Sequence, residues 1–249
     1  MGNANVDPQK DSVTIRPEEA AFFADLAKDW WNPKGKMASL HQVNPVRLGF
    51  IRQAIDAHFE TEPRSIRPLA GKSALDIGCG AGLVCEPLAR LGADMTGVDA
   101  ASDNVAAAAA HAEAGGLDIR YMAGEVAGLD IGTFDLVTAL EVIEHVADKE
   151  QFLKDVTERL APGGLLVIST PNRTAASRLL LVGAAEAVGY VPKGTHHWDD
   201  FITPEELEVM LGDLGFEVTV RRGIAWRPGK GLHLSDDEAL NYIVSARRV

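Results

Sequence analysis

The sequence predicts an α/β fold built on a mostly parallel sheet, and two observations support this prediction. From residue 71 onward, apolar runs typical of strands alternate with segments of helical periodicity. The first apolar run, 73–77, ends in a turn with glycines at alternate positions, Gly78, Gly80 and Gly82. The alternation indicates helices on both faces of the sheet, and the glycine-rich turn indicates a ligand site at the carboxyl ends of its strands.

Seven apolar runs are predicted to be strands, and the last two of them to finish the sheet in antiparallel fashion. The predicted strands are SALDI, DMTGVD, IRYMAG, FDLVTAL, GLLVIST, FEVTVRRG and NYIVSARR. The predicted helices between them are VCEPLARLG, SDNVAAAAAHAEAG, KEQFLKDVTERLA and PEELEVMLGDLG. The sequence therefore predicts a seven-stranded sheet that is mostly parallel.

Three regions surround or make up this sheet. Residues 1–16 are polar, and we expect them to be disordered. Residues 17–70 are predicted to form a helical extension, with a breaker-rich loop, WNPKGKMASLHQVNP, between the periodic runs EEAAFFADLAKDWW and VRLGFIRQAIDAHF. Residues 71–249 form the ligand-binding domain, in which 174–198 is an apolar insertion.

Composition narrows the class of protein. The chain has 249 residues and a formal net charge of -12, which argues against a nucleic-acid partner. We expect neither a membrane span of roughly 20 apolar residues nor a secretory signal. Val6 stands where N-myristoylation needs Ser or Thr. The positions of Cys79 and Cys85 do not suggest a disulfide, so a reducing cytoplasm is the expected compartment.

The ligand predicted at the glycine turn is a nucleoside without a pyrophosphate. The dinucleotide fingerprint G-x-G-x-x-G would need glycine at position 83, which is Leu83. Asp99 ends the second predicted strand, where an acid can accept hydrogen bonds from both hydroxyls of a ribose. The form D-x-G-C-G-x-G, complete from Asp76 to Gly82, resembles the class I S-adenosylmethionine methyltransferases, which have a Rossmann-like fold.

This resemblance implies a cofactor site made of four segments. The backbone of Gly78 and Gly80 would run alongside the methionine part of S-adenosylmethionine, and Asp99 would bind the ribose. Glu125 and Val126, after the third strand, are in the usual place for the adenine. The backbone of Leu140, at the end of the fourth strand, would flank the methionine part again.

The sequence EVIEHV provides candidates for the acceptor side. Glu141, Glu144 and His145 are spaced i, i+3 and i+4, so a helical turn would place all three on one face. Two carboxylates and an imidazole can bind Mg²⁺ or a similar divalent cation, which would lower the pKa of a phenol. Alternatively, His145 is the general base and Glu144 orients it. In a third interpretation, Glu141 and His145 only shape the cofactor pocket.

From residue 30 to the C-terminus, the chain resembles the ubiquinone-biosynthesis O-methyltransferases. The carrying segments are DWWNPKGKMASLHQVNPVRLGFI, LDIGCGAGL, ALEVIEHV, ISTPNRT and YVPKGTHHWDDFITPEEL. The resemblance implies that Arg47, Gly78, Asp99 and Leu140 bind S-adenosylmethionine, with the Arg47 guanidinium pairing with the cofactor carboxylate. Leu140 stands where some relatives carry Met, and a backbone contact tolerates that change. The helical extension would then cover the cofactor.

The same resemblance implies two O-methylations in ubiquinone biosynthesis, on polyprenyl catechol-type intermediates and on 3-demethylubiquinol. Other ubiquinone-biosynthesis proteins are expected partners. The insertion 174–198 would contact lipid from the inner face of the membrane, or else form a lid over the acceptor pocket. The alternatives are a methyltransferase for another small phenol or lipid, and a cofactor-binding scaffold without catalysis.

Overall fold

A computed structural model describes residues 30–62, 64–179 and 198–249. Its centre is one eight-stranded sheet with the strand order β3-β2-β1-β4-β5-β8-β6-β7. Strands β1 to β5 run parallel, and β8, β6 and β7 are added antiparallel beyond β5. The strands are β1 Ser73–Ile77, β2 Asp94–Asp99, β3 Ile119–Ala123, β4 Phe134–Leu140, β5 Leu160–Pro171, β6 Phe216–Arg227, β7 Gly231–Ser235 and β8 Asn241–Arg248.

Helices connect these strands and cover the sheet. Single 3₁₀ turns lie at Val126–Gly128, Ile143–His145 and Trp198–Asp200. The α-helices are α1 Ala38–His58, α2 Cys85–Arg90, α3 Ser102–Ala114, α4 Lys149–Glu158, α5 Ala175–Ser177 and α6 Pro204–Asp213.

Two apolar cores lie on opposite faces of the sheet. On one face, Phe50 and Ile55 of α1 pack with Leu136 and Val167 of the central strands. On the other face, helices α4 and α6 bury their apolar sides against the sheet, with Leu153 and Leu207 fully buried. The predicted α/β class with helices on both faces is confirmed, and the position of α1 ties the N-terminal extension to the sheet.

The number of strands predicted from the sequence was one too low. The additional strand, β7, is at the edge of the described sheet and pairs there with β6, in an antiparallel hairpin that runs from Gly223↔Ser235 to Arg227↔Gly231. Its sequence GLHLS is short and begins at a glycine, so it has little strand propensity of its own. Pairing with the free edge of β6 decides its conformation.

The first described helix differs from the sequence prediction. Helix α1 begins at Ala38, inside the segment expected to be a breaker-rich loop, and it contains Pro45 in its interior. Proline in a helix interior removes a hydrogen bond, so packing of the buried face must compensate for it. The helix predicted before residue 30 and the expected disorder of 1–16 lie outside the described residues.

Candidate functional site

The glycine turn follows β1 and has a backbone that favours glycine. Gly78, Gly80 and Gly82 have φ angles of 69°, 52° and 85°, in the left-handed region. A Cβ added to each would come within 2.4 Å of Val142, 2.4 Å of Trp30 and 2.3 Å of Tyr121, respectively. The glycines are therefore required by the close approach of side chains from elsewhere in the chain, as well as by the turn itself.

Asp99 ends β2 beside this turn, and its carboxylate accepts three hydrogen bonds. Gly80 N donates to Oδ2 at 2.8 Å, while Ala101 N and Asn104 Nδ2 donate to Oδ1 at 2.9 and 3.1 Å. Burial raises the pKa of Asp99, and these bonds oppose the rise by stabilising the anion. The structure therefore places Asp99 next to Gly80, as expected for a shared ligand site.

Asp76, the first residue of the glycine motif, is buried beneath the turn. Its carboxylate accepts hydrogen bonds from Thr138 Oγ1 at 2.6 Å and from Cys85 Sγ at 3.6 Å. Burial raises the pKa of Asp76 to about 7, and the bond from Thr138 opposes this. Cys79 and Cys85 are both free thiols and buried. Asp76 therefore links the end of β1, just before the glycine turn, to β4 and to the start of α2.

Two tryptophans of the N-terminal extension dock on the glycine turn. Trp30 packs against Gly80 and donates its Nε1–H to Asn104 Oδ1 at 3.1 Å. Trp31 donates to the carbonyl of Ala81 at 3.0 Å and stacks on His111, with ring centroids 3.5 Å apart. Sequence reasoning did not assign these roles, although the DWW segment had carried part of the family resemblance.

Arg47 extends from α1 to the end of β4, where its partner is Glu141. The guanidinium is buried, and its Nη2 lies 2.9 Å from Glu141 Oε1. Asn241 Nδ2 and Ser169 Oγ also donate to the Glu141 carboxylate, at 2.9 and 2.8 Å. Arg47 was expected to pair with the cofactor carboxylate. In the structure, Arg47 pairs with Glu141. The pairing of Arg47 with the cofactor carboxylate stays a prediction.

Glu144 lies in the 3₁₀ turn Ile143–His145, with its carboxylate buried. Thr170 Oγ1 donates to Oε2 at 3.0 Å, whereas Oε1 has no hydrogen-bond partner among the described residues. Burial raises the pKa of Glu144 to about 7, the negative charge of Glu141 adds to the rise, and His145 opposes it. The Nε2 atom of His145 lies 3.9 Å from Glu144 Oε1. The structure therefore brings the predicted acid and base side by side.

The expectation that Glu141, Glu144 and His145 share one helix face was wrong. Glu141 has a φ of 57°, outside the helical region, and the turn that follows is a single 3₁₀ turn. The Glu141 carboxylate is already bonded to Arg47, and the described residues contain no group of three or more His, Cys, Asp or Glu that could hold a metal ion. As arranged here, the three residues do not fit a divalent cation. A metal site would require Glu141 to leave Arg47, and it stays a prediction.

The remaining predicted cofactor residues lie at the same edge of the sheet. Val126 is buried in the core, and its carbonyl accepts a hydrogen bond from Arg159 Nη2 at 3.0 Å. Glu125 precedes it, and Leu140 ends β4 in register with Ser169. Because the Val126 side chain is buried in the core, an adenine at this position would contact the Val126 backbone or Glu125. These contacts stay predictions.

The insertion 174–198 is described only at its two ends. Thr174 caps α5, and Trp198 Nε1 donates to the Thr174 carbonyl at 2.8 Å, so the two ends lie together. The Leu179 side chain is 69% exposed. The predicted lipid contact or lid falls mainly on 180–197, outside the described residues. The helices that the structure describes include none that is long and apolar enough to cross a bilayer.

Comparisons with known proteins agree with this fold. The family model described as methyltransferase domain matches residues 48–220. The magnesium protoporphyrin IX methyltransferase from Synechocystis, solved with bound SAH, superposes with a TM-score of 0.61 at 21% identity, covering 93% of this chain and 96% of that one. A SAM dependent methyltransferase from Aquifex aeolicus superposes at 0.60 with 15% identity, covering 91% and 98% of the two chains. The fold and the family model therefore define a methyltransferase.

Relatives with higher sequence identity identify the family within the methyltransferases. A ubiquinone biosynthesis O-methyltransferase from Azorhizobium caulinodans is 48% identical over 94% of both chains. One from a Bradyrhizobium species is 45% identical over 95% of this chain and 94% of the relative. The chain belongs to the ubiquinone biosynthesis O-methyltransferase family.

Proposed function

We propose that this enzyme uses S-adenosylmethionine to methylate phenolic oxygens of ubiquinone precursors, on both polyprenyl catechol-type intermediates and 3-demethylubiquinol. The observation that carries the proposal is the juxtaposition, at one edge of the sheet, of two sites. One is the glycine turn with Asp99, and the other is the buried pair Glu144 and His145. The membership of the family supports the quinone-pathway substrate.

Different residues of the site bind the cofactor and transfer the proton. The cofactor supplies a methyl group already activated by its positive sulfur. Asp99 and the glycine turn hold the nucleoside, which fixes the position of that methyl. His145 removes the proton from the acceptor hydroxyl, and the neighbouring Glu144 carboxylate orients and stabilises the imidazolium that forms. The Glu144 side chain is buried, whereas the imidazole of His145 is partly exposed.

An assay of two substrates tests the proposed function. Purified protein is supplied with labelled S-adenosylmethionine and either a short-chain prenyl catechol or a short-chain 3-demethylubiquinol. We expect label in both products, and loss of label with heat-denatured enzyme. Labelling of only one substrate contradicts the two-step proposal, and labelling of neither favours a different phenol or a non-catalytic scaffold.

Chelation separates the two interpretations of the acceptor side. With His145 as the base, turnover survives exhaustive dialysis against EDTA. If a cation held by Glu141, Glu144 and His145 is required instead, EDTA abolishes turnover and added Mg²⁺ restores it. The second result would also mean that Glu141 leaves Arg47 when the ion binds, because its carboxylate is engaged in the present arrangement.

We also propose that the enzyme reaches its polyprenylated substrate through local contact of the insertion with lipid. The exposed Leu179 supports this, since a net charge of -12 gives no general attraction to an anionic bilayer. Leu179→Glu should reduce co-sedimentation with liposomes while turnover of a short-chain substrate is unchanged. Loss of that turnover with unchanged co-sedimentation would favour the lid. Val209→Glu, at an exposed position on α6, is the matched control.

A further inference from the structure

We propose that Trp30, in the N-terminal extension, is a positioning residue of the cofactor site that acts by fixing the Asn104 amide against Asp99. The proposal rests on the proposed function, because it takes Asp99 as the acceptor for the ribose hydroxyls. It adds an indole and an amide, from two distant parts of the chain, to the residues that decide cofactor affinity.

The first step is a chain of two hydrogen bonds. Trp30 Nε1 donates to Asn104 Oδ1 at 3.1 Å, and Asn104 Nδ2 donates to Asp99 Oδ1 at 3.1 Å. An indole N–H can only donate, so it requires the amide oxygen of Asn104 to face it. The amide NH₂ is then directed at Asp99. Asn104 is 1% exposed, so bulk water has little access to replace either partner.

The second step concerns the lone pairs of Asp99. Each carboxylate oxygen accepts about two hydrogen bonds. Oδ1 accepts from Ala101 N and Asn104 Nδ2, whereas within the described ranges of the chain Oδ2 accepts only from Gly80 N. Oδ2 therefore has acceptor capacity left for a hydroxyl donor. If the Asn104 amide turned over, its oxygen would face Oδ1 and two acceptors would repel each other.

The third step is that the indole is itself held in place. Trp30 is largely buried, and a Cβ on Gly80 would lie 2.4 Å from its ring, so only glycine admits the indole here. Trp31 fixes the neighbouring backbone through its bond to Ala81 and its stacking on His111. The extension therefore presents the Trp30 N–H to Asn104 from a fixed position, which preorganises Asp99 before the cofactor binds.

Trp30→Phe tests the proposal, because it removes the N–H while keeping an aromatic ring on Gly80. Calorimetric titration with S-adenosylmethionine should show a Kd about fivefold or more above that of the unaltered protein, the range expected for loss of one buried hydrogen bond. The kcat at saturating cofactor should change by less than about twofold, since the acceptor side is untouched. Trp226→Phe, at an exposed position on β6, is the matched control and should bind as the unaltered protein does.

A double-mutant cycle with Asn104→Ala distinguishes positioning from general packing. If Trp30 acts through Asn104, Trp30→Phe should change Kd by less than about twofold in the Asn104→Ala background. An unchanged Kd in a folded Trp30→Phe variant, or fully additive effects, overturns the proposal. If Trp30→Phe does not fold, Asn104→Ala decides alone, and its unchanged Kd overturns the proposal. Failure of the unaltered protein to bind S-adenosylmethionine would instead overturn the proposed function.

Discussion

The two halves of the site differ in how completely their carboxylates are hydrogen-bonded. At the ends of β1 and β2, Asp99 accepts bonds from two backbone amides and one side chain. At the ends of β4 and β5, Glu144 is more deeply buried, yet one of its oxygens has no hydrogen-bond partner within the described parts of the chain. The hydrogen bonds to Asp99 therefore favour its anionic form against the effect of burial, whereas Glu144 in the acceptor half has fewer such bonds to oppose burial.

This difference in hydrogen bonding matches the different tasks of the two halves, which are cofactor binding and proton transfer. Holding a nucleoside requires an acceptor fixed before the ligand arrives, which backbone donors provide at little cost in entropy. Proton transfer to His145 depends on the charge beside its imidazole, and burial raises the pKa of the adjacent Glu144 carboxyl group to about 7. Variants should therefore affect affinity in one half and turnover in the other.

The largest effect is expected from His145→Ala in the acceptor half. Loss of a general base typically reduces turnover by about 100-fold or more, and we expect that loss in kcat. The Kd for S-adenosylmethionine should stay within about twofold, since Asp99 and the glycine turn are unaltered. Steady-state kinetics and calorimetry on one preparation measure both. A fully active variant would remove both the base and the metal interpretations of this residue, and Glu144→Gln should show the same pattern.

An effect of intermediate size is expected from Asp99→Ala in the cofactor half. Hydrogen bonds to a charged acceptor contribute about 1.5–3 kcal/mol each, so the Kd for S-adenosylmethionine should rise tenfold or more. The variant also leaves the amides of Gly80 and Ala101 without this acceptor, so its melting temperature must be measured alongside. Unchanged affinity in a folded variant would mean that the ribose binds elsewhere.

The smallest effect concerns the pH dependence of stability, through Asp76. Burial raises its pKa from 3.8 to about 7, so between these values the folded state binds more protons than the unfolded state. Stability should therefore fall as pH rises through this window, and Asp76→Asn should remove that fall. We expect the variant to gain about 1 kcal/mol in unfolding free energy at pH 7 relative to pH 6. Urea denaturation at both pH values measures it, and an equal gain at both would contradict the pKa.

Much of the fold was accessible from local sequence patterns. The seven predicted strands are present, because alternating apolar runs and intervening helices report burial residue by residue. The eighth strand was missed, since its conformation depends on the edge of β6. The start of α1 was missed for a related reason: Pro45 indicates a break locally, but burial of the helix face outweighs that preference.

The same division holds for the site. The sequence by itself identified the glycine turn, Asp99 and the pair Glu144 and His145 as candidates for the site, because each follows a predictable strand. Only the tertiary structure decided their partners. Trp30 bonds to Asn104 across 74 positions, and Asn241 bonds to Glu141 across 100. Such pairs depend on how helices and strands pack, and packing between distant segments leaves no periodic signal in a single sequence.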